Sequence, residues 1–188
     1  LDTCTYGIVN DQLTGDCQVN NARGVLAALG VLRRRCGVEI SKEAVLAGFG
    51  SVCGLTGLMG RWMKINDRPY TVCDTGHNVG GIEYIVKQLN RIECKTLRIV
   101  FGCVNDKDVT HILELLPKEA VYYFTQASIP RALPCAEVKT LANAARLIGE
   151  SYPTVAEAYK AALADSSDDD AIFVGGSTFI VADFLASI

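Results

Sequence analysis

From about residue 61 onward the chain alternates short, nearly continuous apolar runs with longer segments of helical periodicity. The runs at 69–73, 97–101, 120–124 and 171–174 have the length and the β-branched or aromatic content of buried strands. A further strand is expected at 61–65, turning back through Asn66-Asp67. The segments 79–91, 109–116, 138–149, 154–164 and 177–186 place their apolar residues at helical spacing. Strands joined by helical crossovers predict a mostly parallel sheet covered on both faces, an α/β Rossmann-like fold.

The first sixty residues read differently. Segment 20–36 predicts a helix, with Val25, Ala28, Leu29 and Leu32 in one apolar stripe. Its last turn holds Arg33, Arg34 and Arg35, a solvated helix end favoured by the macrodipole. Ser41 suits the N-cap of a second helix reaching about Phe49. Gly54, Gly57 and Gly60 then fall at regular intervals, which suits a linker. The expected division is therefore 1–60, a short helical tail with its linker, and 61–188, the Rossmann-like domain.

The bulk composition narrows the partners. Among 188 residues, 18 Lys+Arg against 21 Asp+Glu leave a net charge of -3, which argues against a nucleic acid or a charged membrane surface. The eight cysteines are scattered without a CxxC pair, and neither His77 nor His111 stands at zinc-ligand spacing from one. A reduced, cytoplasmic chain is expected on that usage. No run approaches the roughly 18 apolar residues of a membrane helix, and no signal peptide is visible. The chain begins at Leu1, which reads as a piece of a longer protein. The acidic stretch Asp165-Ser166-Ser167-Asp168-Asp169-Asp170 suits a solvated loop.

The chemistry gathers at Cys73-Asp74-Thr75-Gly76-His77-Asn78, directly after an apolar strand. Open α/β sheets bind ligands at the C-terminal ends of their strands, where a carboxylate can accept hydrogen bonds from a ribose diol. An aspartate that merely organises the loop fits the same position. His77 can position or exchange a proton, or simply tie down the loop. GxGxxG is absent after this strand, so a nicotinamide or flavin site lacks its usual support, and no GxxxxGK[ST] occurs in the chain. Gly175-Gly176-Ser177 has the form of an anion-facing turn into a helix. Arg61 and Lys107 are cations that can meet phosphate. His111 reads as structural.

Taken in order, these motifs resemble the C-terminal portion of the folylpolyglutamate synthase/dihydrofolate synthase family, within the Mur ligase superfamily. The resemblance rests on Cys17-Gln18 with Asn21, Leu58-Met59-Gly60-Arg61, Asp74-Thr75-Gly76-His77-Asn78, Asp106-Lys107-Asp108 and Gly176-Ser177. Departures are Cys17 for a tyrosine, Met59 for a proline, Gly76 for an alanine, Val79 for a proline, and Met63 for a frequent polar residue. No charged group is lost among them.

The resemblance implies an ATP-dependent amide ligase that adds L-glutamate to a folate or dihydropteroate through an acyl phosphate. It places nucleotide contacts on Asn21, Arg61 and Asp74, and puts His77, as catalytic residue, and Ser177 near the incoming glutamate. Lys107 and Asn78 form a second tier. The phosphate-binding loop and the Mg2+ ligands would lie in a preceding central domain of the same protein, of which 1–60 is the tail, so this chain would supply half a site. Two other readings fit less well. A peptidoglycan-precursor ligase would usually carry a tyrosine at Thr75 and often an aspartate at Cys73. A non-catalytic Rossmann-like binding module would account for the missing phosphate loop.

Overall fold

Along each central strand, alternate side chains leave for opposite faces, and both faces are apolar. The computed structural model describes residues 1–105 and 108–188, and the chain separates into two units, Leu1–Arg61 and Trp62–Ile188.

The second unit holds β3 (Met63–Asp67), β4 (Tyr70–Asp74), α4 (Val79–Leu89), β5 (Leu97–Phe101), α5 (Val109–Leu115), β6 (Val121–Phe124), α6 (Cys135–Ala144), β7 (Ile148–Ser151), α7 (Val155–Ala164), β8 (Ala171–Gly175) and α8 (Thr178–Ala186). Six strands form one sheet in the order β3-β4-β8-β5-β6-β7. Only β3 runs antiparallel to its neighbour. Ile99, Phe101, Tyr122, Phe124 and Phe173 pack under α4, α5 and α6. Cys73, Val100, Tyr123, Ile172 and Val174 pack under α7 and α8 on the other face. Two covered faces explain why the inner strands read as unbroken apolar runs.

The first unit carries a small hairpin, β1 (Asp2–Thr3) and β2 (Gly7–Ile8), then α1 (Gln18–Cys36), α2 (Lys42–Gly50) and α3 (Val52–Thr56). Its core is Tyr6, Val9, Ala22, Val45 and Phe49. Ser41 caps α2, its hydroxyl accepting from the Ala44 N–H at 3.1 Å. The glycine-rich linker expected from 51 to 60 is partly helical: α3 forms there and stops at Gly57, whose φ of 69° is left-handed.

Two expectations need correction in the second unit. The first strand starts at Met63 rather than 61, and Asn66 and Asp67 lie within it; the turn is Arg68-Pro69, onto which the Asn66 amide donates at 2.7 Å. The helix expected at 138–149 instead spans Cys135–Ala144 and gives way to β7. Arg146 takes the left-handed position, φ 62°, that ends a helix and is usually a glycine. No glycine marks the stop, and an edge strand that alternates between exposed and half-buried residues has no apolar run to announce it.

At the N-terminal ends of the strands a half-buried network joins β5, β6 and β8. Arg98 donates to the Asp170 carboxylate at 3.2 Å and to the Tyr123 hydroxyl at 3.1 Å, and Tyr123 donates to Asp165 at 2.7 Å. Burial pushes the Asp170 carboxyl upward, but the Ser167 amide and the Arg98 guanidinium outweigh it and hold the group below its ordinary value. A lowered folded value means the contribution is complete above the ordinary carboxylate value and is lost as pH falls through the lowered one. Urea midpoints taken from about pH 6 down to about pH 3 should therefore fall more steeply in the wild type than in Asp170→Asn. Equal slopes would remove Asp170 from the acid sensitivity.

Candidate ligand site at the carboxyl edge of the sheet

Neighbouring strand ends set the frame. Asp74 pairs laterally with Gly175, and Gly175 with Phe101, so β4, β8 and β5 end on one level. From that level the chain after β4 enters α4 on one face, while the chain after β8 enters α8 on the other. Diverging connections between adjacent parallel strands open the crevice in which this class of sheet binds ligands. Two helix N-termini with their partial positive charge begin at its rim.

The β4–α4 loop is built around Asp74, which is buried. Its Oδ2 accepts from the Trp62 N–H at 2.7 Å and its Oδ1 from the Gly76 N–H at 2.8 Å. The loop-organising role is therefore real, and it fixes the carboxylate in place. Gly76 is tight: a Cβ there would stand 2.5 Å from Ile85 Cδ1, so the alanine of the resembling family would need Ile85 to shift. His77 is exposed, and its Nδ1 lies 3.0 Å from the Thr75 carbonyl oxygen. A carbonyl can only accept, so Nδ1 donates in this contact, and in that tautomer Nε2 is an acceptor. Asn78 caps α4, its Oδ1 accepting from the Gly81 N–H at 2.8 Å.

On the neighbouring strand end Ser177 caps α8, accepting from the Phe179 N–H at 3.2 Å, and is itself buried. Gly176 makes the sharp turn possible with a φ of 96°. Burial pushes the Cys73 thiol up to about 12, with the Asp74 charge adding to it, and burial alone does the same for Cys103. Both are inert packing groups beside the site, and none of the eight cysteines forms a disulfide.

Asp74, His77, Asn78 and Ser177 are thus brought to one sheet edge. Asn21 and Arg61 belong to the first unit. Asn21 is exposed and donates to Gln18 Oε1 at 2.9 Å, and both residues line a cavity of about 320 Å³ walled by apolar side chains of α1 and α2. Arg61 is exposed at the end of that unit. Lys107 lies outside the described residues. Among the described residues no three His, Cys, Asp or Glu side chains gather into a metal-holding group. No helix of the described chain is long and apolar enough to cross a membrane.

Residues 60–178 match the glutamate ligase domain of the Mur ligases. The chain belongs to the Mur ligase C-terminal domain family. As a Mur ligase domain it is 32% identical over 167 residues to the dihydrofolate synthase/folylpolyglutamate synthase of Escherichia coli strain K12, covering 86% of this chain. It is 30% identical over 175 residues to a probable bifunctional folylpolyglutamate synthase/dihydropteroate synthase of Halobacterium salinarum. The structure of Escherichia coli FolC in complex with DHPP and ADP superposes with a TM-score of 0.78 at 26% identity, over 98% of this chain and 41% of that one. The chain spans 36% of the length of the first relative and 20% of the second. The Mur ligase match begins at Gly60, beside the point where the two units separate.

Sequence reasoning missed the group that holds the loop from outside it, the Trp62 backbone N–H, to which no residue type points. It also passed over Thr125, fully buried just beyond β6 with its hydroxyl unpartnered.

Proposed function

We propose that this chain is the C-terminal part of an ATP-dependent ligase that joins L-glutamate to a folate or dihydropteroate. The observation that carries the reading is Asp74: a buried carboxylate held by two backbone N–H groups at a crevice of diverging strands, in a chain whose named relatives are folate ligases. ATP would phosphorylate the carboxylate of the folate, and the glutamate amine would displace phosphate to form the amide. Asp74 would accept the ribose hydroxyls, with Arg61 on phosphate and Asn21 on the nucleoside. His77 Nε2 can take the proton that the attacking amine loses, and the α8 N-terminus with Ser177 suits a glutamate carboxylate. Catalysis of this kind rests on positioning and charge neutralisation.

The phosphate loop and the Mg2+ ligands belong, on this reading, to a preceding segment of the same polypeptide. Two features support that. The chain spans 36% of the Escherichia coli relative, and Val19, Val25, Val31 and Leu32 of α1 are each at least 40% exposed. Exposed apolar side chains on one helix suit a segment meant to pack against further protein. The peptidoglycan-precursor reading is not favoured, since the relatives named above are folate ligases. The scattered cysteines, none in a disulfide, suit a reducing, cytoplasmic setting.

The test is ADP release by the polypeptide extended to its natural start, with folate and glutamate added separately and together. Release that needs both is expected, and the isolated 188-residue chain should show none. Release independent of folate would point to another acceptor. Absence of any ATP turnover would favour a binding module, and turnover by the isolated chain would overturn the half-site.

A further inference from the structure

Trp62 is the single tryptophan of the sequence. Its backbone lies at φ 46°, in the left-handed region that disfavours side chains with a Cβ and in which a bulky aromatic is a rare exception. Among the described residues Arg146 is the one other non-glycine there, and it ends a helix. A conformation of this sort persists only where the surroundings over-determine it.

Two contacts do so here. The indole packs on the fully buried Phe173 ring of β8, with centroids 6.2 Å apart and planes tilted by 31°. The Trp62 N–H donates to Asp74 Oδ2 at 2.7 Å. The last rung of the β3–β4 ladder pairs Met63 with Cys73, so Trp62 stands one step beyond it, opposite Asp74. The Asp74 side chain thus takes the place a strand carbonyl would have had as acceptor. Its other oxygen is held from inside the loop by the Gly76 N–H at 2.8 Å. Donors from two separate segments thus reach the two oxygens of the carboxylate and fix its plane. Without the ring on Phe173 the backbone of residue 62 would relax to negative φ and swing its N–H away from Oδ2.

We propose that Trp62 is a positioning residue for the nucleotide: the indole, anchored on Phe173, holds a left-handed backbone whose N–H orients the Asp74 carboxylate toward the ribose. The inference rests on the reading of Asp74 as the ribose-binding group and adds the device that aims it. Trp62 touches neither substrate nor reacting atoms in this scheme.

The test is steady-state kinetics of the polypeptide extended to its natural start, with Trp62→Ala, Trp62→Phe, Asp74→Asn and the double variant Trp62→Ala/Asp74→Asn. Trp62→Ala should raise KM for ATP about tenfold while kcat and KM for glutamate stay within about twofold. Trp62→Phe keeps a ring over Phe173 and should recover most of the loss. In the Asp74→Asn background Trp62→Ala should add less than about twofold to KM for ATP, because the group it orients is already lost. A merely structural tryptophan would lower thermal stability and kcat together and act equally in both backgrounds, and that result overturns the inference. Should Trp62→Ala fail to fold, Trp62→Leu, which keeps apolar cover without the planar ring, takes its place under the same criteria. An unchanged KM for ATP in Asp74→Asn refutes the ribose reading itself. A raised KM there, with an unchanged one in the Trp62 variant, refutes only the role of Trp62.

Discussion

Asp74→Ala should cost the folded second unit about 3 kcal/mol and lower kcat/KM for ATP by about a hundredfold. The stability loss comes from two backbone donors. The Trp62 and Gly76 N–H groups both end on this buried carboxylate, and a hydrogen bond to a charged acceptor contributes on the order of 1.5–3 kcal/mol. Alanine leaves both donors without their acceptor at a site where the aspartate is only 7% exposed. On the proposed role of Asp74, the kinetic loss comes from the ribose, whose hydroxyls would have no charged acceptor. Asp74→Asn separates the two effects, since its amide oxygen still serves one donor. Urea denaturation should place it between wild type and Asp74→Ala, whereas ATP saturation kinetics should place it beside Asp74→Ala. If the alanine variant kept its KM for ATP while losing stability, the carboxylate would be confined to its role in the loop.

Gly176→Ala is the second large effect, expected to destabilise by about 3 kcal/mol or more. The residue has φ 96°, and a Cβ built there would lie 2.5 Å from the Gly102 carbonyl oxygen and 2.5 Å from Phe101 Cε2. Backbone cannot yield as a flexible side chain would. The left-handed conformation adds roughly 1–2 kcal/mol, and overpacking another 1–3. A fall in Tm of roughly 10 °C is the expected reading. Gly80→Ala provides the contrast within the same site. Gly80 lies inside α4, and a Cβ there would approach nothing closer than Asn78 Oδ1 at 3.9 Å. It should be neutral or stabilising by about 0.5–1 kcal/mol. Equal effects of the two substitutions would show that the β8–α8 turn does not depend on glycine.

How much of this was legible beforehand depends on whether a residue announces its own role. Val72, Ile99, Phe101, Tyr122, Phe124, Ile172 and Phe173 sit in apolar runs, and an apolar run in a chain of this composition has few places to go but a covered sheet. Asp74 and His77 were legible as strand-end groups because polar residues directly after such a run must lie where the strand stops. The identification of the strand at β7 failed because Ile148–Ser151 is an edge, paired on one side only, and needs no apolar run. The expected helix ran through it because Arg146 ends α6 in a conformation that the identity of arginine does not reveal. Ser177 and Asn78 were selected as ligand groups, and the structure shows both as helix caps, a role their residue types share with binding.

The sequence by itself determined the fold class, the strand-end position of the Asp74 loop and the family, since periodicity and motif order are properties of the chain alone. Only the tertiary structure decided that β8 lies between β4 and β5, so that Gly175 meets Asp74 on one side and Phe101 on the other. It alone decided that Asp74 is held from outside its loop by Trp62, whose backbone conformation depends on a ring 111 positions further along at Phe173 (173 − 62). Strand order and backbone strain are set by contacts between residues distant in sequence, and the energy that selects them has no local signature for a single sequence to carry.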